Sequence, residues 1–102
     1  MNLPILRPTI HSAIIENQSY EIIKSLLDQG TDPNTPDDRD NTALHLAVEY
    51  DKEDIVELFL HYKANVNIQN CNGDTPLHWA IYTDAHDHII MNLLHSGASP
   101  HI

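Results

Sequence analysis

A six-residue segment returns after 33 residues: Thr42-Ala43-Leu44-His45-Leu46-Ala47 recurs as Thr75-Pro76-Leu77-His78-Trp79-Ala80. A fixed period of this length constrains the fold more than any other feature. It marks a unit that buries its apolar face mainly against a neighbouring copy of itself. A weaker version, Pro8-Thr9-Ile10-His11-Ser12-Ala13, stands 34 residues upstream of the middle one. Each copy precedes a second matched segment: Ile22-Ile23-Lys24-Ser25-Leu26-Leu27, Ile55-Val56-Glu57-Leu58-Phe59-Leu60 and Ile89-Ile90-Met91-Asn92-Leu93-Leu94. Each of these leads into a turn and an extended stretch, at Gly30-Thr31-Asp32-Pro33-Asn34, Lys63-Ala64-Asn65-Val66-Asn67 and Gly97-Ala98-Ser99-Pro100-His101. Three registers that agree together make coincidence a poor explanation.

Local chemistry explains the repeated positions. Thr42 and Thr75 suit helix N-caps, where a hydroxyl accepts a bond from an otherwise unpaired helical N–H. Pro76 suits the first helical position, where its missing donor costs nothing. Leu44, Ala47 and Val48 fall on one helical face, as do Ile55, Leu58 and Phe59 on the next helix. Ala13, Ala47 and Ala80 are small enough for close helix approach. Asn17, Asp51 and Asp84 stand between the helices, and Asn and Asp are the best residues after glycine for a left-handed turn.

These segments resemble the ankyrin repeat, whose pattern runs T-P-L-H-x-A, then I-V-x-x-L-L, then G-A-D-V-N. The resemblance covers the chain from about Pro8 onward, and Thr75-Pro76-Leu77-His78 matches in full. It implies an all-α ankyrin-repeat solenoid of about three helix-turn-helix repeats with short hairpin-like fingers. A single domain over residues 1–102 is expected, with repeats at about 5–34, 38–67 and 71–102. The resemblance also implies ring hydrogen bonds from His11, His45 and His78 to the adjacent fingers. The departures matter as well. Asp40 replaces the finger glycine present as Gly73, and Lys63 stands where Gly30 and Gly97 end their helices. Leu6 and Arg7 leave the first copy without a proper finger. The third copy ends before its own finger is complete, so its outer face is expected to be uncapped.

Composition narrows the function classes. Hydrophobic residues make up 41%, ordinary for a globular chain. Fifteen acids against five bases give a formal charge of −10, which repels phosphate and disfavours nucleic acid and anionic membrane as partners. A protein with a basic surface is the better match. One cysteine, Cys71, forms no internal disulfide and fits a reducing compartment. The opening MNLPILRPTI lacks both a basic region and a long apolar stretch, so it does not read as a signal peptide. A cytoplasmic or otherwise intracellular location is expected, with export into a host cell as the alternative.

No residue pattern points to catalysis, and no cofactor is expected. The three glycines form no phosphate loop, and neither serine nor cysteine sits in a nucleophile motif. Glu49, Glu53 and Glu57 have the i, i+4 spacing of a solvated helix face. Among eight histidines, His86, His88 and His95 cluster near Asp84 and Asp87. They include no i, i+4 pair, so no metal site is expected. Trp79 is expected to pack within the stack, with partner contact as the second choice.

By resemblance, partner contacts fall at the fingertips and at the ends of the first helices. The candidate strip is Asp38, Arg39 and Asn41 in one finger, Asn72 and Asp74 in the next, and Glu49, Tyr50, Tyr82 and Thr83 along the concave groove. Thr42, His45, Thr75, Pro76 and His78 are the structural motif residues. The leading function is a protein-binding module of adaptor or inhibitor type. The alternatives are a segment of a longer array with no partner of its own, and a histidine-cluster metalloprotein. Weak self-association through the uncapped C-terminal face is also expected.

Overall fold

The computed structural model describes residues 10–99. They form six helices and, among the described residues, no strand. The helices are α1 (Ile10–Ile15), α2 (Tyr20–Asp28), α3 (Ala43–Glu49), α4 (Glu53–His61), α5 (Pro76–Tyr82) and α6 (Asp87–His95). The short helices α1, α3 and α5 pack side by side in one row, and α2, α4 and α6 in a second. This is the all-α stacked-repeat architecture that the 33-residue period predicts.

Every helix ends the same way. The residue after the C-cap turns left-handed: Asn17, Asp51 and Asp84 at φ 58, 57 and 56°, then Gly30, Lys63 and Gly97 at 95, 64 and 98°. The N–H one position later reaches back five residues, from Gln18, Lys52 and Ala85 to the carbonyls of Ala13, Ala47 and Ala80 at 2.8–2.9 Å. Thr31, Ala64 and Ala98 reach Leu26, Phe59 and Leu93 in the same way at 2.9–3.1 Å. These bonds satisfy carbonyls that the helix itself leaves open. Asp51 therefore breaks the chain between Glu49 and Glu53. Those two acids lie on different helices, and the single i, i+4 face expected for Glu49, Glu53 and Glu57 does not exist.

Lys63 is the residue least suited to its turn, since a β-carbon at positive φ crowds the following carbonyl. Lys63→Gly is expected to raise unfolding free energy by about 0.5–1 kcal/mol, after allowance for the entropy glycine adds to the unfolded chain. Urea unfolding measures it, and a loss of stability would mean that the lysine side chain holds something the turn needs.

The core runs continuously through the stack. Ile55, Val56, Leu58 and Phe59 of α4 are all buried, because α4 is covered on both sides. Among the described residues, the outer repeats are covered on one side only. Ile14 and Val48 are buried by the repeat that follows them, whereas Ile81 at the same position is 58% exposed. Leu94 is 40% exposed while Ile89 and Leu93, which face back toward α4, are buried. At the other end Ile22 is 42% exposed, and its counterparts Ile55 and Ile89 are buried.

Candidate functional site

The site is built on two turns with the same internal wiring. In the finger over residues 37–41, the Asp37 carboxylate accepts the N–H groups of Arg39 and Asn41 at 2.8 and 2.9 Å. In the finger over residues 70–74, the Asn70 side-chain oxygen accepts those of Asn72 and Asp74 at 2.9 and 3.0 Å. Asp40 and Gly73 both lie at positive φ, so aspartate holds the first turn in the conformation that glycine adopts in the second. The fingers are joined by two bonds of 2.9 Å, from Cys71 N–H to the Arg39 carbonyl and from the Asn70 amide to Asn41 Oδ1.

Histidine then fixes each finger to a helix start. Thr42 caps α3, and the Thr42 N–H donates to His45 Nδ1 at 3.1 Å. With Nδ1 accepting, Nε2 carries the proton and donates to the Asp74 carbonyl at 2.8 Å. His45 is buried, and burial lowers its pKa; the bonded Asp74 carbonyl and the Asp37 and Asp74 carboxylates offset part of that. His11 reaches the Asn41 carbonyl at 3.2 Å in the same manner. Thr75 and His78 repeat the capping box on α5, where Pro76 opens the helix.

This framework opens a groove lined by Asp37, Asp38, Arg39, Asn41, Leu46, Glu49, Asn70, Cys71, Asn72 and Trp79. Five residues of the expected strip meet there: Asp38, Arg39, Asn41, Glu49 and Asn72. Asn41 is only 8% exposed; its side-chain oxygen joins the fingers and its carbonyl accepts from His11 and the Asp37 N–H, so it shapes the groove more than it presents a surface. Asp74 acts similarly through its carbonyl. Tyr50, Tyr82 and Thr83 lie outside the lining; Tyr50 and Thr83 are C-caps, and Tyr82 is 69% exposed with its ring stacked near His78.

Trp79, Leu46 and Cys71 join the groove although the strip omitted them. Trp79 and Leu46 occupy the same variable position of the repeated motif, and that shared position was the signal available. Trp79 is half-buried and packs against the core as expected, but its Nε1 is a buried donor without a partner among the described residues.

Elsewhere the charged clusters serve the stack. Lys24, Asp28 and Tyr62 are linked on the outer face, where Tyr62 and Lys24 hold the Asp28 carboxyl below its ordinary pKa. His86 pairs with Asp51, and His88 Nδ1 lies 3.1 Å from Glu53 Oε1, tying the third repeat to the second. Among the described residues no three His, Cys, Asp or Glu side chains converge as a metal site, and no helix is long and apolar enough to cross a membrane.

Residues 10–102 match the sequence profile of ankyrin repeats in three copies. The chain is 40% identical over 85 residues to an ankyrin repeat protein of Fowlpox virus (strain NVSL), which is 82% of this chain and 25% of that protein. It is 40% identical over 80 residues to serine/threonine-protein kinase 12 of Arabidopsis thaliana, 78% of this chain and 17% of the kinase. It is 38% identical over 71 residues to the neurogenic locus Notch protein of Drosophila melanogaster, 69% of this chain and 3% of Notch. The chain thus spans a quarter or less of these relatives.

Proposed function

The chain belongs to the ankyrin-repeat family, and from that premise we propose that it is an adaptor or inhibitor docking a basic protein surface through the groove between its two fingers. Repeats of this family are generally protein-interaction modules. The observation that carries the finer reading is the groove itself. Asp38, Arg39, Glu49 and Asn72 present polar groups there beside Leu46 and Trp79, and tryptophan and arginine are residues enriched at interface centres. Tyr50, Tyr82 and Thr83 extend the surface along the helix ends.

Eight of the fifteen acids lie between residues 37 and 57, so a basic partner would be steered to this side. Asp38→Lys combined with Glu49→Lys is expected to lower the association rate of a partner isolated from the native cell at least roughly tenfold at low salt. The same charge change at Glu16 and Glu21, outside this stretch, should leave the rate within roughly threefold. Stopped-flow or surface-resonance kinetics measure both, and an unchanged rate for the groove variant would remove this face as the docking site.

The exposed Ile81 and Leu94 favour a second reading, a segment of a longer array. Their neighbours in the stack are covered by a following repeat.

A further inference from the structure

We infer that copies of this chain stack head to tail, the open face of the third repeat seated on the outer face of a second copy's first repeat. This contact is separate from the docking groove and does not depend on it. Each of the two faces carries apolar residues at positions that the stack covers elsewhere. On the third repeat Ile81 and Leu94 are exposed and Ile90 is partly covered, whereas Val48 and Val56 at matching positions are buried. On the first repeat Ile22 is exposed, and Ile55 and Ile89 at its position are buried.

The entry into α2 is what fits the first repeat to a preceding third one. Asn17 to Ile22 and Asp84 to Ile89 are each one residue longer than Asp51 to Ile55. The extra residues, Ser19 and His86, are N-caps of nearly the same backbone conformation, with φ −68 and −56° and ψ 157 and 147°. Lys52, the N-cap of α4, differs at ψ 84°. The His86 N–H donates to the Asp51 carboxylate of the repeat before it at 3.2 Å. Asp84 holds the same left-handed turn one repeat later. Among the described residues its carboxylate has no donor, and the Ser19 N–H has no acceptor. The contact between copies therefore repeats the observed seam of the second and third repeats, with Asp84 in the place of Asp51 and Ser19 in that of His86.

Charge limits its strength. His88 lies against Glu53 inside the stack, but between copies Glu21 and Asp87 take those two places, and paired carboxylates repel. Each copy also carries a formal charge of −10. Salt screens both effects, so association strengthens as salt rises, opposite to the docking of a basic partner. So few apolar side chains give a weak contact, about 0.1–1 mM. Because the two faces differ, the contact does not close on itself and assembly runs past the dimer.

Sedimentation equilibrium of the full chain, from about 20 µM to about 1 mM, tests this. The weight-average mass should climb with concentration beyond that of a dimer, and the association constant should rise at least roughly threefold between about 0.05 and 0.5 M NaCl. Ile81→Lys blocks one face and Ile22→Lys the other, both at exposed positions, and circular dichroism checks that each variant keeps its helices. Each variant alone should stay monomeric. An equimolar mixture of the two should form dimers and nothing larger, since one intact face of each remains. A native chain that is monomeric to about 1 mM overturns the inference and leaves this face to a following repeat. Assembly that stops at the dimer, native-like association of Ile22→Lys alone, or a mixture that stays monomeric also overturns it.

Discussion

Replacing His45 with leucine should lower unfolding free energy by about 1–3 kcal/mol, because it strands the buried Thr42 N–H. That N–H loses its acceptor, and the Asp74 carbonyl loses one of two donors and keeps the Asn70 N–H, in a place where His45 is buried. Glutamine at this helix position is the usual capping-box partner and accepts the same N–H, so His45→Gln should lose roughly half as much. The two variants also separate the effect of charge. Burial holds the His45 pKa below its ordinary value of 6.5. As pH falls through 6.5, the unfolded chain takes up a proton at His45 before the folded chain does. The stabilisation is therefore complete above that value and is lost progressively on acidification toward the folded pKa. Urea unfolding at pH 7.5 and 5.5 should show a larger fall for the native chain than for His45→Gln. Equal falls would mean that His45 is not held neutral by its surroundings.

The second large effect lies at the open end. A well-formed polar repeat appended after Ile102 should raise unfolding free energy by about 3–5 kcal/mol, through burial of Ile81, Ile90 and Leu94. Ile81 and Leu94 are exposed, and Ile90 is only partly covered, whereas Val48 and Val56 at matching positions are buried. Asn92 and His95 blunt the outer helix without covering Ile81, which is on α5. Urea unfolding with light scattering measures both stability and self-association. A chain that is monomeric without the added repeat, and gains nothing from it, would show that the third copy closes its own face.

The sequence made the stack legible because each helix start and stop is written locally. The caps at Thr42 and Thr75 and the left-handed turns at Asn17, Asp51 and Asp84 follow from residue type and offset, and the resemblance to the family adds the roles of His45 and His78. The error at Glu49 and Glu53 has the same physical root. Spacing of four implies one face only within an unbroken helix, and Asp51 breaks it. The groove was half legible. The resemblance to the family picks out Asp38, Arg39 and Asn72, but the engagement of Asn41 with Asn70 depends on how neighbouring fingers meet. Likewise, no local pattern signals that the Trp79 indole N–H lacks an acceptor, since that depends on what surrounds it in the stack. The expectations for Pro8 and Thr9, and for Pro100 and His101, lie outside the described residues.

The side-chain bonds that tie one repeat to the next join residues 29 to 35 positions apart, from His45 to Asp74 and from Lys52 to Asn17. Each unit therefore feels only its immediate neighbours, and structure spreads along the chain like a zipper closing outward from its middle. The groove straddles this gradient. Asp38 and Glu49 sit in the repeat braced on both sides, and Trp79 sits in the one braced on a single side, which breathes first. An occupant touching both would act as a clasp across a seam, lengthening the lifetime of the outer unit in proportion to how firmly it holds the inner one.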